Sequence, residues 1–302
     1  MALLALQLLA FLALPPLLLG VIWRVKALVG GRRGPPLGQA YLDLLRLARK
    51  GAVYSRTTSW VFRAGPVIGL AAVAGAGLLV PLGGPAAAVS FAGDFVLLAY
   101  LLGLARFATV LAALDTGSSF EGMGAAREVT YSALAEPALF LGFVSLVRST
   151  GGLDLAHLLG DGLARTWSTD GPALLLVALS IFVVALAENA RVPVDDPATH
   201  LELTMIHEVM VLDHSGPDLA LIHYGAALKL YLFGALVVKL ALGARLADPW
   251  AAFGAFVLGQ LGFAVAVGLV ESSMARLRLV RVPQLLIGAS VLSGFALVLL
   301  LR

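Results

Sequence analysis

The sequence predicts an all-α, polytopic integral membrane protein. The chain has 302 residues, of which 60% are hydrophobic and only 13% are charged, and its mean hydropathy is +0.95. Soluble domains of this length rarely have such a composition. Apolar windows of about 18 or more residues recur along the chain, and each can cross a hydrocarbon core of about 30 Å as a helix. We therefore expect lipid to surround most of the protein.

About eight transmembrane helices fit these windows, within one membrane domain over residues 1–302. The predicted spans are roughly 2–23, 64–82, 91–114, 129–148, 172–189, 219–243, 250–271 and 283–301. The first apolar run is too long for a signal-peptide core, and no clear small-residue cleavage site follows it. We interpret it as a retained span.

The loops between the spans differ in charge. The predicted loops on one side are about 24–63, 115–128, 190–218 and 272–282. They contain 14 Lys and Arg residues, against four on the opposite side. Because cytoplasmic loops carry the excess of basic residues, we expect these loops in the cytoplasm and both termini outside. The net charge of +3 is small and does not favour nucleic acid as a partner.

One cytoplasmic loop contains a segment with helical amphipathicity, LGQAYLDLLRLARK at 37–50. Its polar face is formed by Gln39, Asp43, Arg46 and Lys50. One interpretation is a helix that lies on the membrane surface. Another, compatible with the first, is that the helix forms part of a docking surface or cavity for a cytoplasmic partner, with Asp43 and Arg46 as candidate contacts.

Titratable residues are concentrated between positions 188 and 218. This window holds seven of the 18 acidic residues and three of the five histidines. They are Glu188, Asp195, Asp196, Glu202, Glu208, Asp213 and Asp218, with His200, His207 and His214. The cluster could indicate a metal site, an acid–base catalytic site, an ion path or a solvated loop.

The spacing of the histidines argues against a metal site. On a helix, successive members of His200, His207 and His214 lie about 10 Å apart, whereas zinc ligands lie about 2 Å from the ion. The absence of cysteine also excludes disulfides and cysteine-ligated clusters in this chain. No serine lies in a G-x-S-x-G elbow. These patterns argue against both a metal site and nucleophilic catalysis.

Local structural roles explain part of the acidic segment. Asp196 before Pro197 is typical of a helix N-cap, and Thr199 with Glu202 fits a capping box. Gly216-Pro217 is expected to end the helix that follows. The other loop acids are expected to be hydrated: Asp195, Asp213 and Asp218.

Ionisable residues within or beside the predicted spans are harder to explain structurally. Glu188 ends the apolar run ALLLVALSIFVVALA, at the membrane boundary. The others are Asp94, Arg106, Glu136, Lys229 and Lys239. Such residues cost a few kcal/mol or more in the bilayer unless they are paired or hydrated. They indicate either an ion path or buried structural pairs, for instance of an acid with Arg106. Lys239 could instead extend its amine to the membrane–water interface.

The order of residues in this region resembles a known family. It reads Glu188-Asn189-x-Arg191-x-Pro193-x-Asp195-x-Pro197, followed by Glu202-Leu203 and Asp213-His214-Ser215-Gly216. This pattern resembles the complex I membrane protein that is called subunit 1 in mitochondria. The stretches DTGSSFEGMGAAREVTYSALAEPAL and TMIHEVMVLDHSG are more similar still to the membrane subunits of energy-converting NiFe hydrogenases, the formate hydrogenlyase subunit 4 type.

The resemblance implies a subunit that joins a hydrophilic redox arm to antiporter-like membrane subunits and couples redox chemistry to H⁺ or Na⁺ movement. The residues that would carry protons are Glu136, Glu188, Glu202, Glu208, Asp213 and Lys229. Arg106, Arg127 and Arg191 would act as charge partners, and His207 would face the redox partner. Hydrogenase-like small and large subunits would hold the iron–sulfur clusters and the Ni–Fe centre, with no cofactor in this chain. Its location would be the inner membrane of a prokaryote.

Two other functions remain open from the sequence. The chain could be the quinone-site subunit of an NADH-quinone-type dehydrogenase. It could also be a free-standing ion transporter, although we find no convincing internal repeat of the kind that many transporters contain.

Overall fold

The computed structural model describes residues 2–84, 86–160, 162–196, 205–243 and 248–302, and these ranges contain no β-strand. The α-helices in chain order are α1 (Ala2–Ala13), α2 (Pro15–Val29), α3 (Gln39–Ala48), α4 (Trp60–Gly77), α5 (Asp94–Asp115), α6 (Ser119–Thr150), α7 (Leu155–Leu158), α8 (Gly162–Glu188), α9 (Gly216–Leu242), α10 (Pro249–Ser273) and α11 (Val282–Leu300). Within the described ranges, seven helical segments are long and apolar enough to cross a membrane, and α1 with α2 forms a further, bent pair. The predicted all-α polytopic fold is confirmed.

The first predicted span, 2–23, is a pair of helices rather than one. Helices α1 and α2 meet at an angle of 50°. The break falls at Leu14, which precedes Pro15 and Pro16. A proline has no backbone N–H to donate to the carbonyl oxygen one turn earlier, and its ring crowds that carbonyl. The two consecutive prolines therefore explain the bend.

Two other helices are longer than predicted. Helix α6 begins at Ser119, ten residues before the predicted span at 129, so much of the segment predicted as the 115–128 loop is helical. Its first turn contains Glu121, and an acidic side chain there is favourable for the helix dipole. Helix α8 begins at Gly162 and bends at Asp170, two residues before Pro172, because the proline disrupts the helix there.

Helix α9 lies at the centre of the bundle. Of its apolar window, 67% is buried, compared with 28–44% in the other candidate spans of the described chain. It packs against α2, α3, α4, α8 and α10. Its side chains Leu228, Tyr231 and Phe233 are almost fully buried. A polar residue on this helix is therefore enclosed by protein rather than by lipid.

Helix α3 occupies the predicted amphipathic segment and packs across α2 and α9. Ala40 is buried, and the Tyr41 hydroxyl donates a hydrogen bond to the carbonyl oxygen of Ala13. Leu42 and Leu45 stay exposed. The helix thus forms a wall against the bundle and also keeps an apolar surface outside.

The prediction that Gly216-Pro217 ends a helix is wrong, because these residues begin α9. Proline suits the first helical turn as well as the position after a helix. Gly216 has a φ of +56°, and a Cβ there would lie 2.6 Å from the carbonyl oxygen of Gly51. The Ser215 hydroxyl also accepts a hydrogen bond of 3.0 Å from the Val53 backbone N–H. These contacts fix the start of α9 against the loop that follows α3.

Candidate functional site: a buried cluster of carboxylates and cations

Glu188, at the last residue of α8, lies between two cations. One of its oxygens is 2.8 Å from an Arg106 guanidinium nitrogen of α5, and the other is 2.8 Å from the Lys229 amine of α9. The side chains are only 5%, 10% and 12% exposed, respectively. The sequence placed Glu188 at the boundary of an apolar run, and the structure shows that it is shared by two basic residues from different helices.

Arg106 also contacts two acids of α6. Its guanidinium lies 2.8 Å from Glu136 and 3.8 Å from Glu128. Glu128 is nearly buried, whereas the Glu136 side chain is 47% exposed. We call Arg106, Glu128, Glu136, Glu188 and Lys229 the ion cluster. With all five groups ionised, it contains three anions and two cations. It runs from the bundle interior to the protein surface.

Glu128 was not among the predicted site residues. It lies eight positions before Glu136, which is about 12 Å along a helix axis. Its spacing from Glu136 could have identified Glu128 as a member of the same helix. The predicted span began at residue 129, however, so Glu128 was assigned to a loop. The misplaced helix boundary therefore concealed it.

A small cavity borders the ion cluster, and a larger one lies next to it. The smaller, of about 80 Å³, is lined by Arg106, Glu128, Glu188 and Lys229. The larger, of about 430 Å³, lies between α2, α3 and α9. Trp23, Leu44 and Leu47 contribute apolar parts of its wall, and its polar side chains are Lys26, Asp43, Asn189, Arg191, His207, Glu208 and His223.

A second buried ion pair network holds Arg191. Its guanidinium lies 3.4 Å from Glu271 of α10, and the Lys26 amine lies 2.8 Å from the same carboxylate. The Glu271 side chain is completely buried. Arg191 was predicted as a charge partner of the proton-path acids, and the structure places it on Glu271 instead. The sequence analysis missed Glu271, although it follows an apolar run as Glu188 does.

The segment after α8 is held by Asp195 and Arg127. The Asp195 carboxylate lies 2.9 Å from Arg276 and accepts backbone N–H hydrogen bonds of 3.1 Å from Ile206 and His207. Asp195 is 1% exposed, so the prediction that it is hydrated is wrong. Arg127 donates a 2.8 Å hydrogen bond to the Met205 carbonyl oxygen. Both residues fix residues 205–207.

The other predicted residues lie outside the ion cluster. Asp213 is exposed, as expected for a hydrated acid, and its backbone N–H donates to the buried carboxylate of Glu121. Asp43 and Arg46 form an exposed 3.3 Å pair on α3. Glu208 begins a short 3₁₀ turn, Glu208–Val211. Glu202 and His200 lie outside the described residues.

His214, which belongs to the histidine set and to the family pattern in the sequence, is buried. Its ring stacks on Phe62 of α4 at a centroid distance of 3.9 Å and an interplanar angle of 7°. Burial lowers the pKa of His214, against the opposing charges of Asp218 and Asp213. The ring anchors the residue 205–215 segment to α4. Among the described residues, no group of three or more His, Asp or Glu is placed to hold a metal ion.

The fold and the site define a polytopic membrane protein that encloses a chain of ion pairs beside a polar cavity. The model of the NADH dehydrogenase family matches residues 1–302. The chain belongs to this family, and the resemblance to the complex I membrane protein that was found in the sequence is confirmed.

Several relatives match over most of the chain. Hydrogenase-4 component C of Escherichia coli (strain K12) is 32% identical over 239 residues, covering 78% of this chain and 73% of the relative. Formate hydrogenlyase subunit 4 of the same organism is 28% identical over 291 residues, with 92% of each chain covered. A subunit of the NADH-quinone oxidoreductase of Anaplasma phagocytophilum (strain HZ) is 28% identical over 242 residues, covering 73% of this chain and 69% of the relative.

A solved structure shares the fold. A chain of the membrane-bound sulfane sulfur reductase, an archaeal respiratory membrane complex, superposes with a TM-score of 0.85 at 19% identity, covering 99% of this chain and 98% of the other. With the family and the curated relatives, this places the protein among the membrane subunits of complex I-like and hydrogenase-type respiratory complexes.

Proposed function

We propose that the chain is the membrane-anchoring and coupling subunit of a group 4 NiFe-hydrogenase-type complex. In this role it links a hydrophilic redox arm to the translocation of protons or sodium ions. The similarity to hydrogenase-4 component C and to formate hydrogenlyase subunit 4 supports the hydrogenase type. The absence of cysteine means that thiolate-ligated clusters belong to partner subunits.

The observation that carries the proposal is the path of the ion cluster. Glu188 and Glu128 line the small cavity, and Arg106 bridges Glu188 to the half-exposed Glu136 at the surface of the bundle. Ionisable groups that cross the interior of a membrane protein in contact with one another are typical of ion and proton relays. Glu188, Glu136 and Lys229 are the proposed proton-bearing groups.

The exposure of Glu136 supports a membrane partner. A carboxylate that faces lipid costs several kcal/mol, yet this side chain is 47% exposed in the isolated chain. An antiporter-like subunit that covers Glu136 with a polar group would remove this cost and receive the ion. Arg106 would then connect two subunits electrostatically.

The loop side of the protein suits the redox arm. Asp43, Arg46 and Glu208 lie on or beside α3 and the large cavity, where hydrogenase-like small and large subunits would dock. The predicted acidic route through Glu202 and Asp213 would continue on this side. With the excess of Lys and Arg in these loops, the proposal places them in the cytoplasm of a prokaryote and both termini outside.

The test compares carboxylate variants in the whole complex reconstituted into proteoliposomes. Electron transfer with the native donor and acidification of the lumen are measured together, so that ions moved per electron can be calculated. Glu188→Gln and Glu136→Gln should lower this ratio several-fold while the partner subunits remain bound. Asp170→Asn, at the kink of the same helix as Glu188, serves as the matched control and should keep the ratio.

Normal ion pumping in both glutamate variants would remove the ion cluster from the path and contradict the proposal. A mild-detergent purification with mass spectrometry tests the assembly separately. Recovery of a NiFe large subunit supports the hydrogenase type, and recovery of the chain only as a homo-oligomer that transports ions would refute it.

One observation favours a second function, that of a quinone-site subunit. The cavity of about 430 Å³ has an apolar wall that includes Leu19, Trp23 and Leu44, which suits an apolar ring compound. Quinone-dependent oxidation of the donor by the purified complex, lost in Leu44→Trp, would support this function. If donor oxidation is the same with quinone removed and with quinone added, the quinone-site function is excluded.

A further inference from the structure

The ion cluster and the large cavity are separated by very few residues. The small cavity contains the cluster, and the large cavity opens between α2, α3 and α9. Among the described residues, only Asn189, His207 and Ala226 line both cavities. A side chain at this wall can pass a proton directly from one cavity to the other.

Of these three residues, only His207 carries an acid–base group. A neutral imidazole has one nitrogen that accepts and another that donates a hydrogen bond. Asn189 cannot titrate, but its side-chain oxygen is buried without a hydrogen-bond partner in the described part of the chain. Its amide nitrogen donates a 2.7 Å hydrogen bond to the Ala185 carbonyl oxygen. The free oxygen is an acceptor at the same wall.

The backbone around His207 is held firmly while its ring lines the two cavities. The His207 N–H donates to Asp195, which in turn pairs with Arg276. The His207 carbonyl oxygen accepts a 3.1 Å hydrogen bond from the Met210 N–H. A fixed backbone with the ring between two cavities suits a transfer group whose imidazole turns while its position is kept.

We propose that His207 is the proton-relay residue between the large cavity and the ion cluster. The inference rests on the proposed function and specifies the proton as the coupled ion. In the relay, one ring nitrogen forms an N–H bond with a proton from water in the large cavity. The other ring nitrogen releases its proton to a carboxylate of the cluster, Glu128 or Glu188, and rotation of the ring restores the starting tautomer. A cavity of this volume can hold several waters.

The charges on the two sides of His207 differ. On the large-cavity side the ionisable groups are Lys26, Asp43, Arg191, Glu208 and His223. On the cluster side they are Arg106, Glu128, Glu188 and Lys229. Glu208 and His223 both line the large cavity together with His207. These two groups are placed to collect the proton that His207 transfers.

The test again uses the reconstituted complex. His207→Gln keeps a polar side chain of similar length but cannot relay protons, and His207→Ala leaves room for a small molecule. Both should lower the rate of lumen acidification roughly a hundredfold, the lower limit of what a positioned acid–base group contributes to a rate. Added imidazole should restore acidification in His207→Ala, but not in Glu188→Gln. His157→Gln, on the short helix α7, is the matched control and should behave as wild type.

The outcomes separate the relay from the proposed function. If Glu188→Gln stops pumping but His207→Gln pumps normally, His207 is not the relay and the proposed function stands. If His207→Ala loses its hydrophilic partner subunits, or is inactive and not rescued by imidazole, His207 has a docking or structural role and the inference is overturned. If Glu188→Gln, Glu136→Gln and His207→Gln all pump normally, the proposed function itself fails.

Discussion

Glu271→Gln should destabilise the protein more than any other change of a single charge outside the ion cluster. The carboxylate is fully buried and lies 2.8 Å from Lys26 and 3.4 Å from Arg191. At an effective dielectric constant of about 20, these distances correspond to attractions of roughly 6 and 5 kcal/mol. The desolvation of the ions offsets much of this attraction.

The variant leaves the Arg191 guanidinium, which is 9% exposed, without its anion. Removal of one partner from a buried ion pair costs about 3–5 kcal/mol. For a chain of this size, that loss lowers the melting temperature by roughly 10 °C. Lys26→Met should cost less, because the Lys26 side chain is 30% exposed and the pair between Glu271 and Arg191 remains.

The assay is thermal proteolysis of this chain in the detergent-solubilised complex, followed by mass spectrometry of its peptides. Glu208→Gln removes the same charge at the wall of the large cavity and serves as the control, with an expected change below about 1 kcal/mol. A Glu271→Gln protein that melts no lower than Glu208→Gln would refute the view that this carboxylate neutralises buried cations.

Three further predictions concern the residue 205–216 segment. Burial lowers the pKa of His214. The contribution of His214 to the free energy of unfolding is therefore complete above its ordinary pKa of about 6.5, and it falls as the pH drops towards the lowered pKa. His214→Phe should remove this pH dependence and keep the stacking on Phe62. Asp195→Asn should expose the segment to protease, because it removes the charge that holds two backbone N–H groups. Gly216→Ala should lower the melting temperature, because a Cβ collides with the Gly51 carbonyl oxygen and the φ is positive.

Each of these predictions has a measurement that can contradict it. Melting curves between pH 5 and 8 that are parallel for wild type and His214→Phe would mean that His214 does not titrate on unfolding. Unchanged cleavage in Asp195→Asn, by limited proteolysis and mass spectrometry, would show that other contacts hold the segment. A Gly216→Ala protein as stable as wild type would mean that the loop at residue 51 moves aside at little cost.

The sequence predicted the spans well because apolar windows are local properties. It failed where a local signal had two meanings. Gly216-Pro217 is compatible with a helix end and a helix start, and only the contact of Gly216 with Gly51 selects the start. Pro15 and Pro16 lie inside an apolar window, which conceals the 50° bend. In the first case a tertiary contact determined the outcome, and in the second the two prolines did.

The pairing of charges could not be predicted in the same way. The family resemblance implied that Arg191 is a charge partner of the proton-path acids, Glu188 among them. The structure pairs Arg191 with Glu271, 80 residues away, and pairs Glu188 with Arg106 and Lys229. The partner of a buried charge depends on which helices pack against each other. Hydropathy gives no information about which helices are neighbours in the bundle.

Glu188 and Glu271 show how a carboxylate on an ion path differs from one that only stabilises the fold. Both acids end long apolar runs, both are nearly or fully buried, and both contact two cations. Burial and pairing therefore do not distinguish them. Glu188 belongs to a network that borders a cavity and continues through Arg106 to the half-exposed Glu136, whereas Glu271 lines neither the small nor the large cavity. A proton needs a continuous route on both sides of the group that carries it. By this criterion, neutralising Glu188 should affect transport, and neutralising Glu271 should affect stability.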